Sequence, residues 1–536
     1  MKGVQRHVLS IVGMAGMAAL GTACGTVDAP VEPADRTVVS VEGGQIAGAT
    51  SSVGQDVWVY QGIPYAAPPV GELRWRPPQP VQPWDGVRDA TQPPAPCLQP
   101  PFPQSLFGPD TSGSSEDCLY LNVWSSAAPD ADEPAPVMVW IHGGALSVGR
   151  GDWLTFDGTA LAERGVVLVT LNYRLGALGY LAHPLLTAES AHQASGNYGT
   201  LDQIATLEWV QQNIAAFGGD PGRVTIFGES AGSWSVNAVM ASPLSRGLLH
   251  RAIGQSGGGF GSVGRPFPKA DREALGATWV EAVFGTDVTP SLEAMRAVPT
   301  DALLAEPFGP ALTLDGWVLP DTIANIFAAG AQHDIPVIVG SNADEGTIVP
   351  PQSTTVDAYE VSSRAQYGEL FGAMLATYPA SSEEEVAQSQ IAILTDQMFG
   401  WEMREWARAM STVSSPAYLY YFSRVPPAPD AGRMGAYHTA EIPYVFDNLG
   451  VNPDPAQHRD YDDTDRALSD QMASYWVNFA STGDPNGEGL PEWPAYDAVS
   501  DTALEFGDAI AVRSRIRKAR LDLADRFYAA QRGGTP

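Results

Sequence analysis

A single serine stands between small residues in Gly228-Glu229-Ser230-Ala231-Gly232. An apolar run at 223–227 precedes it, and a helix-compatible stretch at 233–241 follows it. A strand that turns sharply into a helix here lifts the Ser230 hydroxyl clear of the backbone, and small residues at 228 and 232 avoid clashes at the turn. A serine hydroxyl is a poor nucleophile without a base to take its proton. The chain has eight histidines. His7 lies in the N-terminal leader and His142 in a glycine-rich loop; His183, His192, His250, His333 and His458 have no companion motif and read as surface or packing residues. His438 lies in Gly435-Ala436-Tyr437-His438-Thr439-Ala440-Glu441, downstream of the strand-like run 417–422. The chain order serine, acid, histidine favours it and puts the acid between 230 and 438. Asp344-Glu345-Gly346, just past the buried-looking run 335–339, is best placed, and residue type alone does not choose between Asp344 and Glu345.

Acyl transfer also needs donors for the oxyanion of the tetrahedral intermediate. His142-Gly143-Gly144-Ala145, at the end of the run 137–141, has the pattern of a loop that supplies backbone N–H groups, with Ala231 N–H as a further donor. A second glycine motif, Gly259-Phe260-Gly261-Ser262-Val263-Gly264, fits a phosphate-binding spacing. A proline-rich stretch, Arg265-Pro266-Phe267-Pro268, follows where a phosphate-binding helix should begin, so it reads as an ordinary loop. No Walker A, HExxH, EF-hand or CxxC pattern is present, and no metal or cofactor is expected.

The elements that must position these residues alternate. Runs at 137–141, 166–171, 223–227, 251–255, 335–339 and 417–422 read as buried strands. Leu201, Ile204, Leu207, Val210 and Ile214 recur at helical spacing, as do Leu468, Met472, Trp476 and Phe479, and these stripes read as core faces. Alternation of this kind is the α/β signature, with a mostly parallel sheet. Three of the strands run straight into a motif, and ligand sites of such sheets lie at the carboxyl ends of strands. The basic run Arg513, Arg515, Arg517, Lys518, Arg520 reads as a solvated helix face.

A chain of 536 residues with 44% hydrophobic and 17% charged residues has ample material for a core. Its net charge of −31 argues against a nucleic-acid partner. Lys2 and Arg6 precede an apolar stretch from Val8 to Leu20, too short to span a bilayer, so residues 1–23 read as a signal peptide. Leu20-Gly21-Thr22-Ala23-Cys24 resembles a bacterial lipobox, although Gly21 stands where Leu is usual. A lipoprotein anchored through Cys24 is the preferred reading over simple secretion, and either exports the chain. Residues 24–36 read as a tether and 37–536 as one domain. Outside the cytosol, Cys97 and Cys118 can close a disulfide, which stabilises by roughly 3 kcal/mol in the chain-entropy model.

Longer blocks resemble the type-B carboxylesterase/lipase family of α/β-hydrolases, which includes cholinesterases, carboxylesterases and the non-catalytic neuroligins. They are Gln61-Gly62-Ile63-Pro64-Tyr65-Ala66 with Pro69-Val70-Gly71-Glu72-Leu73-Arg74, then Ser115-Glu116-Asp117-Cys118-Leu119-Tyr120-Leu121-Asn122-Val123, and Phe217-Gly218-Gly219-Asp220-Pro221 through Gly232. Asn172-Tyr173-Arg174, Gly196-Asn197-Tyr198-Gly199 and Gly483-Asp484-Pro485-Asn486 fit as well. The resemblance spans about Thr37 to Phe527. It implies an α/β-hydrolase fold with helical cap insertions at 257–322 and 352–408, and a serine ester hydrolase. The family's nucleophile falls on Ser230, its acid on Glu345 and its base on His438. Its oxyanion donors fall on Gly144, Ala145 and Ala231, with Ala145 in place of the commoner glycine. Ser256 matches a serine that supports the triad in some relatives, and Glu229 is counted with it as a supporting residue. Cys97–Cys118 matches the family's first disulfide. Cholinesterases carry a choline-binding Trp inside that loop; this loop has only Phe102 and Phe107, so a choline ester is not the expected substrate. The expected partner is a small-molecule ester. A catalytically silent binding protein and an amide or carbamate hydrolase are the alternatives.

Overall fold

The computed structural model describes residues 37–54, 56–100, 113–129, 131–285, 290–451 and 459–532. The leader, Cys24, the tether, Phe102, Phe107 and His458 lie outside the described residues. Eleven strands form the main sheet: β1 (Ala49–Thr50), β2 (Trp58–Pro64), β3 (Tyr120–Ser125), β4 (Ala135–Ile141), β5 (Val167–Leu171), β6 (Gly219–Glu229), β7 (Arg251–Gln255), β8 (Val337–Asn342), β9 (Ala417–Phe422), β10 (Thr502–Phe506) and β11 (Ile510–Ser514). Their order across the sheet is β11-β10-β9-β8-β7-β6-β4-β5-β3-β2-β1. From β10 to β5 every pairing is parallel, and β11, β3, β2 and β1 are antiparallel. This is the mixed, mostly parallel sheet of an α/β-hydrolase fold.

Both faces of the parallel block are covered, which is why β4 (APVMVWI) and β5 (VLVTL) are apolar without alternation and buried throughout. The covering helices include Tyr198–Asn213, with Leu201, Ile204, Leu207 and Val210 buried, and Asp463–Thr482, with Leu468, Met472, Trp476 and Phe479 buried. Asp462 and Asp465 cap the start of the second in a reciprocal capping box, and Gly483 in the left-handed region ends it. The inserted segments are helical: Lys269–Phe284 and shorter helices in the first, Val356–Tyr367, Phe371–Thr377, Glu383–Leu394 and Trp401–Ala409 in the second.

The chain runs from β4 outward to β5, then returns to place β6 on the other side of β4. Such a reversal opens a crevice at the carboxyl ends of the two strands. β4 ends at Ile141 before the His142 loop, and β6 ends at Glu229 before Ser230.

The structure departs from the sequence expectation in two places. β2 and β3 pair antiparallel at the edge, and their strand character is hidden among the polar and glycine residues of the family blocks. The basic run is not a helix face. Arg513 lies on β11, Arg515 and Arg517 have positive φ, and the helix begins only at Lys518. Val512 and its neighbours ladder with β10, and the Arg517 guanidinium lies 2.9 Å from the buried Asp396 carboxylate.

Candidate active site

Ser230 has φ 57° and ψ −123°, a conformation costly for a residue with a side chain, and it joins β6 directly to the helix Ala231–Ala241. The turn is held from both sides: Ser230 N donates to Gln255 O at 2.9 Å, and Trp234 N donates to Ser230 O at 3.0 Å. A Cβ on Gly232 would lie 2.0 Å from Ile141 O, so only glycine lets the helix pass this close to β4.

The two acids at the end of β8 separate. Glu345 is fully buried and its Oε2 lies 2.6 Å from His438 Nδ1. Its Oε1 accepts from Asn342 N at 2.7 Å and from Ser256 Oγ at 2.6 Å. Asp344 instead accepts from Ala436 N at 2.8 Å and donates its own N–H to Ala436 O at 2.9 Å. It clamps the loop that carries His438. Ser256, the expected supporting residue, follows β7 with φ 54° and is held by an N–H bond to Gly340 O.

The other face of His438 meets Glu229, whose Oε1 lies 3.1 Å from Nε2. Ser230 Oγ, one residue further on, has no hydrogen bond among the described residues. The Phe399 ring leans on the imidazole at 4.7 Å between centroids. Burial alone would lower the His438 pKa, but the Glu229 and Glu345 carboxylates beside it outweigh burial and raise it to about 9. Burial pushes Glu229 well above the usual carboxylate range; the imidazole pulls it down, and Glu441 and Glu345 add to the rise. Glu441, three residues after His438, is a third buried carboxylate, raised chiefly by burial. It accepts from Gln255 Nε2 at 3.0 Å and from Asn342 Nδ2 at 2.5 Å. Asn342 Nδ2 also donates to Tyr437 O. Sequence reasoning passed over Glu441; its only signal is an acid set against the apolar segment Ile442–Val445.

On the opposite side, Gly144, Ala145 and Leu146 have φ of 103°, 53° and 59°. The backbone N–H groups of Gly144, Ala145 and Ala231 donate to no partner among the described residues. A Cβ on Gly143 would fall 3.1 Å from Ser230 Cβ and 2.8 Å from Glu229 O, so loop and elbow touch. His142 anchors this loop. Its ring stacks on Tyr173 at 4.5 Å, Tyr173 OH donates to His142 O, and burial lowers its pKa to about 4. Gln99, inside the Cys97–Cys118 disulfide loop, exchanges two hydrogen bonds with Gly149 just beyond.

The remaining histidines among the described residues serve the framework: His183 accepts from Leu185 N, His250 from Val224 N, His333 lies against Ser245 and Ser242, and His192 stacks on Trp317. The Gly259–Gly264 motif is a loop. Phe260 and Gly261 N–H, the donors a phosphate would need, both go to Glu402, 2.9 and 2.8 Å away. Burial raises the Glu402 pKa to about 8.

A poised serine at a strained elbow, an imidazole fixed by a carboxylate, and unengaged N–H groups facing the elbow can carry out acyl transfer. Comparison with known proteins points the same way. Residues 35–524 match the sequence model of the carboxylesterase family. The chain is 39% identical to the fumonisin B1 esterase of Sphingopyxis macrogoltabida over 87% of this chain and 86% of that one. It is 35% identical to the para-nitrobenzyl esterase of Bacillus subtilis (strain 168), over 89% and 96%. Among solved structures, a carboxylesterase of Geobacillus stearothermophilus superposes with a TM-score of 0.78 at 34% identity, covering 91% of this chain and 100% of that one.

Proposed function

The chain belongs to the carboxylesterase family and hydrolyses carboxylic esters, and on that premise we propose that Ser230 is its nucleophile, His438 its general base and Glu345 the acid that orients the base. Ser230 Oγ attacks the ester carbonyl carbon while its proton passes to His438 Nε2. The carbonyl oxygen becomes an oxyanion and takes N–H bonds from Gly144, Ala145 and Ala231. The intermediate collapses, the carbon–oxygen bond to the alcohol breaks, and the imidazolium protonates the departing alkoxide. Water then attacks the acyl-enzyme, again giving its proton to His438, and the carboxylic acid leaves as Ser230 recovers its hydrogen. Glu345 holds the Nδ1–H tautomer and stabilises the imidazolium in both halves.

The observation that supports this most is the 2.6 Å contact between Glu345 and His438, with Ser256 and Asn342 donating to the far oxygen of the same carboxylate. A carboxylate with three such partners has one orientation, and it fixes the ring with Nε2 toward the elbow. The substrates are proposed to be small to medium esters. The test is hydrolysis of p-nitrophenyl acetate by the mature domain beside Ser230→Ala. Loss of about 10⁴-fold or more in kcat, with an unchanged circular dichroism spectrum, is the expected result. A Ser230→Ala protein as active as its parent would reject the assignment.

The catalytically silent alternative finds no support. Amide or carbamate hydrolysis uses the same residues and differs in leaving group; matched ester and anilide substrates separate it. We also propose that the chain is exported and held at a bacterial membrane by lipid on Cys24, from the leader and the lipobox-like sequence before that cysteine. Cys24→Ser should release the protein from the membrane fraction.

A further inference from the structure

The helix leaving the elbow carries one large aromatic residue in its opening turns, Trp234. Residues four apart share a helix face, and Cα–Cβ bonds tilt toward the helix N-terminus, so a side chain at 234 leans back over Ser230 and Ala231. The contacts agree. A Cβ on Gly257 would meet Ser230 O at 2.4 Å and Trp234 Cδ1 at 2.9 Å, and one on Gly264 would meet Trp234 Cδ1 at 2.6 Å. The indole is therefore wedged between the elbow and the loop that leaves Ser256, the residue bonded to Glu345. It is only half-buried, and its N–H has no partner among the described residues. Trp209 and Trp476, by contrast, are fully buried core rings.

In the tetrahedral intermediate three directions are already taken. One is Ser230 Oγ, one the oxyanion toward the Gly144–Ala145 loop, and one the alcohol oxygen, which must reach His438 Nε2. The fourth direction is left to the acyl chain, and the Trp234 ring packs beside the first turn of the elbow helix.

We propose that Trp234 sets acyl-chain specificity in this protein, closing the space beside Ser230 against long acyl groups. The inference rests on Ser230 being the nucleophile. A rigid indole cannot move aside without displacing the Gly257 and Gly264 backbone, so it excludes a longer chain by volume. It touches no reacting atom, and its removal leaves the base, the acid and the oxyanion donors in place.

The test compares kcat/KM for p-nitrophenyl acetate, butyrate and octanoate in the wild type, Trp234→Ala and Trp234→Phe. The octanoate-to-acetate ratio should rise about tenfold in Trp234→Ala and about threefold in Trp234→Phe. A ratio that stays the same or falls in the folded variants overturns the proposal, including a parallel loss on all three esters. Should Trp234→Ala not fold, Trp234→Phe keeps the ring against both glycines and decides the sign alone. Absence of wild-type turnover on every ester, or full turnover by Ser230→Ala, is a separate result that sinks the underlying assignment.

Discussion

The two flanks of Ser230 use their polar groups in opposite ways. On the β7–β9 side, Ser256, Asn342, Gln255, Glu345 and Glu441 are bonded to one another, and Glu345 holds His438. On the β4 side, the N–H groups of Gly144 and Ala145, in a loop with consecutive positive φ, and of Ala231, at the start of the elbow helix, are left unengaged among the described residues. On the first flank the Glu345 and Glu441 carboxylates are held without a ligand. In the proposed mechanism the second is completed by the oxyanion. An acyl-transfer site needs both kinds of preparation: a base whose position is settled beforehand, and donors already paid for in backbone strain but not yet bonded.

The comparison can be broken most severely on the open flank. Gly143→Ala puts a methyl group against Ser230 Cβ and Glu229 O, which pushes the donor loop off the elbow. A loss of about 10²–10³-fold in kcat is expected, as for loss of an oxyanion donor, with KM little changed; near-normal kcat would show that the loop's position does not matter. On the closed flank, Ser256→Ala removes one of three partners of Glu345. Two remain, so the loss in kcat should be about tenfold or less, and a loss as large as that of Gly143→Ala would contradict the redundancy. The mildest probe sharpens the electrostatics. His438 and Glu229 titrate as a pair: Glu229 is the foremost carboxylate raising the His438 pKa to about 9, and burial raises its own pKa in turn. The base works only when neutral, so kcat/KM for the wild type should climb with pH until about 9. Glu229→Gln removes the titrating partner, and the acid limb must then move to lower pH; movement upward, or none, would mean that Glu229 is not the group His438 titrates with.

Much of the open flank could be read from the chain, because it consists of two contiguous motifs, each at the end of a strand. His142-Gly143-Gly144-Ala145 and the elbow pentapeptide carry their own turn chemistry. The closed flank could be read only in part. Asp344 and Glu345 are neighbours of the same type, and residue type left the choice open until the family resemblance favoured Glu345; the turn after Asn342 points one inward and leaves the other on the His438 loop. Glu441, Gln255 and Asn342 are ordinary polar residues far apart in sequence, and they become a network only once β7 and β8 pair and the loop after β9 folds over them. The basic run failed for another reason. A charge pattern says nothing of backbone period: Arg513 pairs with β10, Arg515 and Arg517 turn with positive φ, and only Lys518 and Arg520 reach the helix.

The three buried carboxylates around His438 bear on the end of the cycle as well. Ester hydrolysis at Ser230 would produce a carboxylic acid close to the buried Glu229, Glu345 and Glu441. The burial that raises the Glu229 and Glu441 pKa values disfavours the anion of a new acid there in the same way. Ionisation of the acid product is then coupled to its departure toward water, a drive that the neutral alcohol product does not share.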